Sequence, residues 1–104
     1  MARVDVQLPG LVAEALGVSR VHRFHAVTLA DVLEQLSSRL PGLRMHLYDE
    51  SGAFRQHVLC FLNETSVRWM ASLDVAVHDG DQVTLVQAVS GGVSFDLLRG
   101  QSRT

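Results

Sequence analysis

The stretch Asp79-Gly80-Asp81-Gln82-Val83-Thr84-Leu85-Val86-Gln87-Ala88-Val89-Ser90-Gly91-Gly92 reads as a turn, a strand and a break. His78-Asp79-Gly80-Asp81 is rich in the residues that stabilise tight turns. Residues 82–89 alternate, with Val83 and Leu85 opposite Thr84 and Val86, as in a strand. Ser90-Gly91-Gly92 ends the pattern, and residues 93–104 carry no convincing element. A domain boundary is therefore expected at Gly92.

Working back from this strand, residues 58–62 are apolar at every position: Val58, Leu59, Cys60, Phe61, Leu62. Such a strand is central in a sheet or keeps one face for a partner. Asn63-Glu64 turns the chain into residues 65–69, which are read as a short edge strand. Residues 28–40 are the clearest helix. Leu29, Val32, Leu33, Leu36 and Leu40 form one apolar stripe, Thr28 stands at the N-cap, and Asp31 follows three residues later as in a capping box. Pro41-Gly42 stops it. Residues 43–48 suggest a further short helical turn, and residues 49–52 a loop. Residues 3–8 and 20–25 alternate as strands, joined by a short apolar segment, residues 11–17, with helical character. The order β, β, α, β, short β, β predicts an α+β domain: a mixed sheet of four or five strands with one main helix.

Composition narrows the function. The chain has 104 residues and a formal net charge of −2, which argues against nucleic-acid binding. All nine cationic side chains are arginine. Without lysine there is neither a Schiff-base amine nor a Walker-type phosphate loop. The single cysteine, Cys60, excludes an internal disulfide and a cysteine-built zinc site. No apolar run approaches membrane-span length, and the N-terminal segment lacks the apolar core of a signal peptide. A cytoplasmic protein without membrane partners is expected.

Taken together, the ordered motifs resemble the bacterial ubiquitin-like sulfur carriers. That family includes the molybdopterin synthase small subunit, the thiamine-pathway carrier and the carrier of thiocarboxylate-dependent cysteine synthesis. The resemblance rests on the turn, strand and Gly91-Gly92, on Thr28-Leu29-Ala30-Asp31-Val32-Leu33 at the helix start, on Leu40-Pro41-Gly42-Leu43 at its stop, and on the strand ending in Asn63. It covers residues 1–92 and is strongest toward the cysteine-synthesis type. It implies a ubiquitin-like β-grasp fold and a carrier that is not itself an enzyme, with no catalytic residue and no bound cofactor.

The resemblance also implies roles for particular residues. Gly92 would be the site of adenylation and thiocarboxylate formation, with ATP used by an activating partner. Ser90 and Gly91 would form the slender tail. Family members end at the second glycine, whereas residues 93–104 follow it here. A JAMM-type metalloprotease cutting between Gly92 and Val93 would release the carboxylate. The remaining implied partners are an adenylating, sulfur-loading enzyme and a sulfur-acceptor enzyme, such as a cysteine-synthase-like protein or a molybdopterin synthase large subunit. The alternative is a ubiquitin-like binding module or protein modifier without sulfur transfer.

Other residues carry plainer expectations. One helix covers one sheet face, so Leu59, Phe61 and Val86 are candidates for a partner-binding patch on the other. Cys60 reads as a buried, inert thiol, the five histidines as surface residues, and Asp79 and Asp81 as turn formers rather than metal ligands. Trp69 reads as core or edge packing.

Overall fold

The computed structural model describes residues 1–87. Five strands, β1 (Ala2–Gln7), β2 (Val21–Ala26), β3 (Val58–Leu62), β4 (Thr65–Ser66) and β5 (Asp81–Gln87), form one sheet in the order β2-β1-β5-β3-β4. The central pair, β1 and β5, runs parallel, and the other pairings are antiparallel. Helix α2 (Leu29–Arg39) crosses one face, and the shorter α1 (Gly10–Leu16) and α3 (Arg44–Leu47) flank it. The expected α+β sheet with one main helix is what forms, with five strands. Ala88 and Val89, assigned to the last strand from sequence, lie outside the described residues.

Period-two alternation explains the core. Val4 and Val6 of β1, Phe24 and Ala26 of β2, Val58 and Cys60 of β3, and Val83 and Leu85 of β5 all point to the helical side. They meet Leu29, Val32, Leu33 and Leu36 from the apolar stripe of α2. Each such side chain contributes roughly 1.5–3 kcal/mol when fully buried.

Helix α2 starts where its cap predicts. The backbone N–H of Asp31 donates to Thr28 Oγ1 at 3.1 Å. The Asp31 carboxylate reaches back to the N–H of Val27 at 3.2 Å, one residue earlier than in a standard capping box. The first-turn donors of Leu29 and Ala30 are met by the carbonyls of Val75 and Leu73. The segment before β5 is thereby tied across the helix N-terminus, leaving these otherwise orphan donors satisfied. At the other end the chain passes into a 3-10 turn, Pro41–Leu43. A Cβ on Gly42 would stand 2.9 Å from Leu16 Cδ2, so a larger residue there would require the Leu16 side chain of α1 to shift.

Two expectations are corrected at the β4 edge. Residues 65–69 do not form one strand: β4 ends at Ser66 and a 3-10 turn, Val67–Trp69, follows. Ser66 Oγ accepts from the N–H of Arg68, and Met70 N–H donates to the Val67 carbonyl at 3.0 Å, which bends the backbone out of the sheet. Trp69 consequently neither packs in the core nor against the edge. It is 79% exposed.

Candidate functional site

The geometry that matters is how β5 is held and where it releases the chain. Its start is locked by a glycine turn and by hydrogen bonds to Arg3 of β1 and to Asn63. Gly80 has φ +90°, a left-handed conformation that glycine adopts without steric cost. That turn lets the N–H of Gly80 donate to the Arg3 carbonyl at 3.0 Å while Asp79 Oδ1 accepts from the N–H of Arg3 at 2.8 Å. The turn is thus pinned to β1.

Asp81 faces the other way. One carboxylate oxygen accepts from the N–H of His78 at 2.8 Å, and the other accepts from Asn63 Nδ2 at 3.1 Å. The Asn63 side-chain oxygen in turn accepts from the N–H of Gln82 at 3.0 Å, and the Asn63 N–H donates to the Gln82 carbonyl at 2.7 Å. Asn63 itself sits at φ 56°, which asparagine tolerates better than most residues. The His78 N–H bond is the largest of several interactions that hold the Asp81 carboxyl below the usual aspartate range. Asp79 and Asp81 therefore spend their oxygens on backbone and amide donors, as turn formers do.

Locked at its start, β5 runs between β1 and β3, with Val83 beside Val6 and Leu85 beside Cys60. It delivers the chain at Gln87, directly opposite Val58. Ser90, Gly91, Gly92 and Val93 lie outside the described residues, five residues or fewer beyond that end in the case of the glycines.

The three candidate patch residues share one face. Leu59 pairs with Val86, and Phe61 pairs with Thr84, on the side of the sheet away from α2. Val86 is 40% exposed, and Leu59 and Phe61 are half-buried. Toward β1 and β2 the same face turns polar, with Arg23 Nε on Asp5 at 3.0 Å. Sequence reading missed Leu11, 67% exposed on α1 at the end of the sheet where β5 finishes. Leu11, Val86 and Arg20 line a hollow of about 350 Å³ there. A short apolar segment gives no sign of which of its residues will be left outside.

Cys60 is buried between these features, and desolvation pushes its thiol up to about 12. A thiol so rarely ionised is a poor nucleophile. His22 and His25 fall on opposite faces of β2, as their spacing requires.

A mixed sheet in the order β2-β1-β5-β3-β4, crossed by one main helix and ending on a central strand, defines the ubiquitin-like β-grasp class. Within that class the chain belongs to the ThiS family, whose model matches residues 6–92. It is similar to the protein described as sulfur carrier protein CysO in Mycobacterium tuberculosis, at 31% identity over 91 residues, covering 86% of this chain and 98% of that one. The crystal structure of M. tuberculosis CysO superposes with a TM-score of 0.70 at 30% identity, covering 83% of this chain and 99% of that one. The Amycolatopsis orientalis BexX/CysO complex contains a similar chain, with TM-score 0.71, 26% identity, and 86% and 99% coverage. Small archaeal modifier protein 1 of Haloferax volcanii gives a TM-score of 0.70 at 25% identity, covering 86% of this chain and all of that one (100%). Among the described residues, no helix is long and apolar enough to cross a membrane.

Proposed function

We propose that this chain is a protein sulfur carrier that bears sulfur as a thiocarboxylate on Gly92. The observation that carries the reading is the family match itself, which runs through the glycine pair to residue 92. The similarity to CysO supports the same chemistry. The protein acts as a co-substrate, and partner enzymes supply the catalysis.

In this reading residues 1–92 are the carrier domain and residues 93–104 an extension removed on maturation. While Val93 follows Gly92, the Gly92 carbonyl belongs to an amide and has no free oxygen to activate. Hydrolysis of the Gly92–Val93 bond by a JAMM-type metalloprotease frees the carboxylate. An activating partner lets that carboxylate attack the α-phosphorus of ATP, releasing pyrophosphate and forming an acyl-adenylate. A sulfide-level sulfur nucleophile attacks the acyl carbon, AMP leaves, and a thiocarboxylate remains. An acceptor enzyme, cysteine-synthase-like or a molybdopterin synthase large subunit, then takes the sulfur.

Each protein feature has a part in this. The Asn63–Asp81 lock and the Gly80 turn hold the strand that carries the tail at a constant position on the body. Gly91 and Gly92 lack a Cβ and allow the tail to enter a narrow active site. Leu59, Phe61 and Val86 offer partners an apolar surface beside the tail root. Cys60, buried and un-ionised, does not compete as a sulfur site.

Intact mass of the protein isolated from its own cells tests the proposal. A species ending at Gly92, part of it heavier by one oxygen-to-sulfur exchange, is the expected result. A population made up only of chains retaining residues 93–104 overturns it. A second reading, a protein modifier joined through Gly92 to target amines, is favoured by the likeness to the archaeal modifier protein. Heavier adducts that require Gly92 would distinguish it.

A further inference from the structure

We propose that the cleft beside the free edge of β3 is the seat of the chain's own extension, residues 93–98. Four observations converge on it. The first is the shape. A cleft of about 510 Å³ opens next to β3, walled by half-buried apolar side chains that include Phe54, Val67, Met70 and Leu73. Its volume is in the range of sites that hold ligands.

The second is the strand edge. β4 pairs only with Phe61 and Leu62, so among the described residues no strand flanks Val58, Leu59 and Cys60 on that side. The opposite edge of the sheet is closed to such use. There Gln35 Nε2 donates to the His25 carbonyl at 2.9 Å and Arg39 donates to the Arg23 carbonyl at 3.1 Å, occupying outward acceptors of β2.

The third is reach. β5 ends at Gln87 opposite Val58, and Val58 lines the cleft, as does Gln56. Crossing from β5 past β3 takes two strand spacings, about 10 Å, and the five residues 88–92 extend to about 16 Å. The Gly92–Val93 bond would then lie in the bridging span, outside the cleft and open to hydrolysis.

The fourth is chemistry. Val93, Phe95 and Leu97 alternate with Ser94 and Asp96, so an extended segment presents an apolar side to the cleft. Asp96 is then carried to the rim. Arg68, an exposed cation at that rim, makes no ion pair among the described residues. Val86 lies nearer the tail root, but the hollow it lines with Leu11 and Arg20 is smaller, about 350 Å³. Seated this way, the extension covers the β3 edge until it is removed.

The test uses the full chain throughout. Phe95→Asp removes the central apolar anchor and leaves the sequence of residues 1–87 unchanged. Backbone amide spectra of the two chains should differ at residues lining the cleft, Leu59, Val67 and Ser72 among them, and emission from Trp69, between the cleft residues Arg68 and Met70, should shift. A peptide of residues 93–104, added to the Phe95→Asp chain, should restore the original spectrum. The unaltered chain should need at least about tenfold more peptide, because its own segment competes at high effective concentration. Arg68→Glu should weaken the peptide several-fold, and Asp96→Arg in the peptide should recover the loss.

Spectral changes confined to residues beyond 87, or centred on Thr84 and Val86, overturn the proposal, as does a peptide without effect. No partner enzyme or sulfur source takes part. Failure here therefore leaves the sulfur-carrier reading intact, and failure of that reading leaves this one intact.

Discussion

Asn63 Nδ2 donates to Asp81 Oδ1 at 3.1 Å, joining the first residue of the β3–β4 turn to the first residue of β5. With the return bonds from Gln82, this pair sets the β3–β5 register. A slip of one residue would move Val83 and Leu85 out of the core and Val86 into it.

Replacing Asn63 should therefore cost stability in two separable parts. Asn63→Gly keeps the left-handed backbone and loses the side-chain bonds, and about 1–2 kcal/mol of loss is expected. Asn63→Ala adds the strain of a Cβ at positive φ, about 1 kcal/mol more. Urea unfolding of the two variants measures both. Equal losses would show that backbone strain plays no part.

Asp81 makes stability depend on acid. Its folded pKa is depressed, chiefly by the His78 N–H bond. The stabilisation is thus fully present above the unfolded aspartate pKa, about 3.9, and is lost as pH falls through the lower folded value. Asp81→Asn should be less stable at neutral pH and lose less on acidification. Melting temperatures between pH 7 and pH 2 report this. Parallel curves for the two proteins would refute it.

Cys60 should resist modification. With its pKa raised to about 12 by burial, the thiolate is scarce at pH 8. Iodoacetamide labelling should proceed only through unfolding and accelerate with urea. Rapid labelling of the native protein would place the thiol outside the core. Cys60→Ala should cost about 1–2 kcal/mol, a small cavity's worth.

Val86→Asp should separate folding from recognition. The side chain is 40% exposed, so the melting temperature should move little, in keeping with a surface change of within about 0.5 kcal/mol. Under the proposed function, loading of sulfur by the activating partner should fall about tenfold or more, since interface anchors contribute more than 1 kcal/mol each. Unchanged loading would remove Val86 from the interface.

Much of this was legible in the chain itself. The stripe of α2, the all-apolar β3, the Thr28 cap and the Asp79-Gly80-Asp81 turn are local signals, carried by residues within a few positions of one another. The family resemblance added order to them. It singled out Gly91 and Gly92, which no local rule distinguishes from an ordinary loop, and they lie outside the described residues.

Other features are not local. Residues 65–69 carry no signal that the Ser66 hydroxyl will bend them out of the sheet, so Trp69 could be assigned inward from sequence and stand 79% exposed in the fold. The strand order, the joining of Asn63 to Asp81 across 18 residues, and the closing of the β2 edge by Gln35 and Arg39 were decided by tertiary structure. So was the edge of β3 at Leu59 and Cys60, which no strand flanks among the described residues. Periodicity states which side of an element is apolar. Which elements become neighbours, and which apolar sides remain uncovered, depends on contacts between distant residues that form only when the whole core closes.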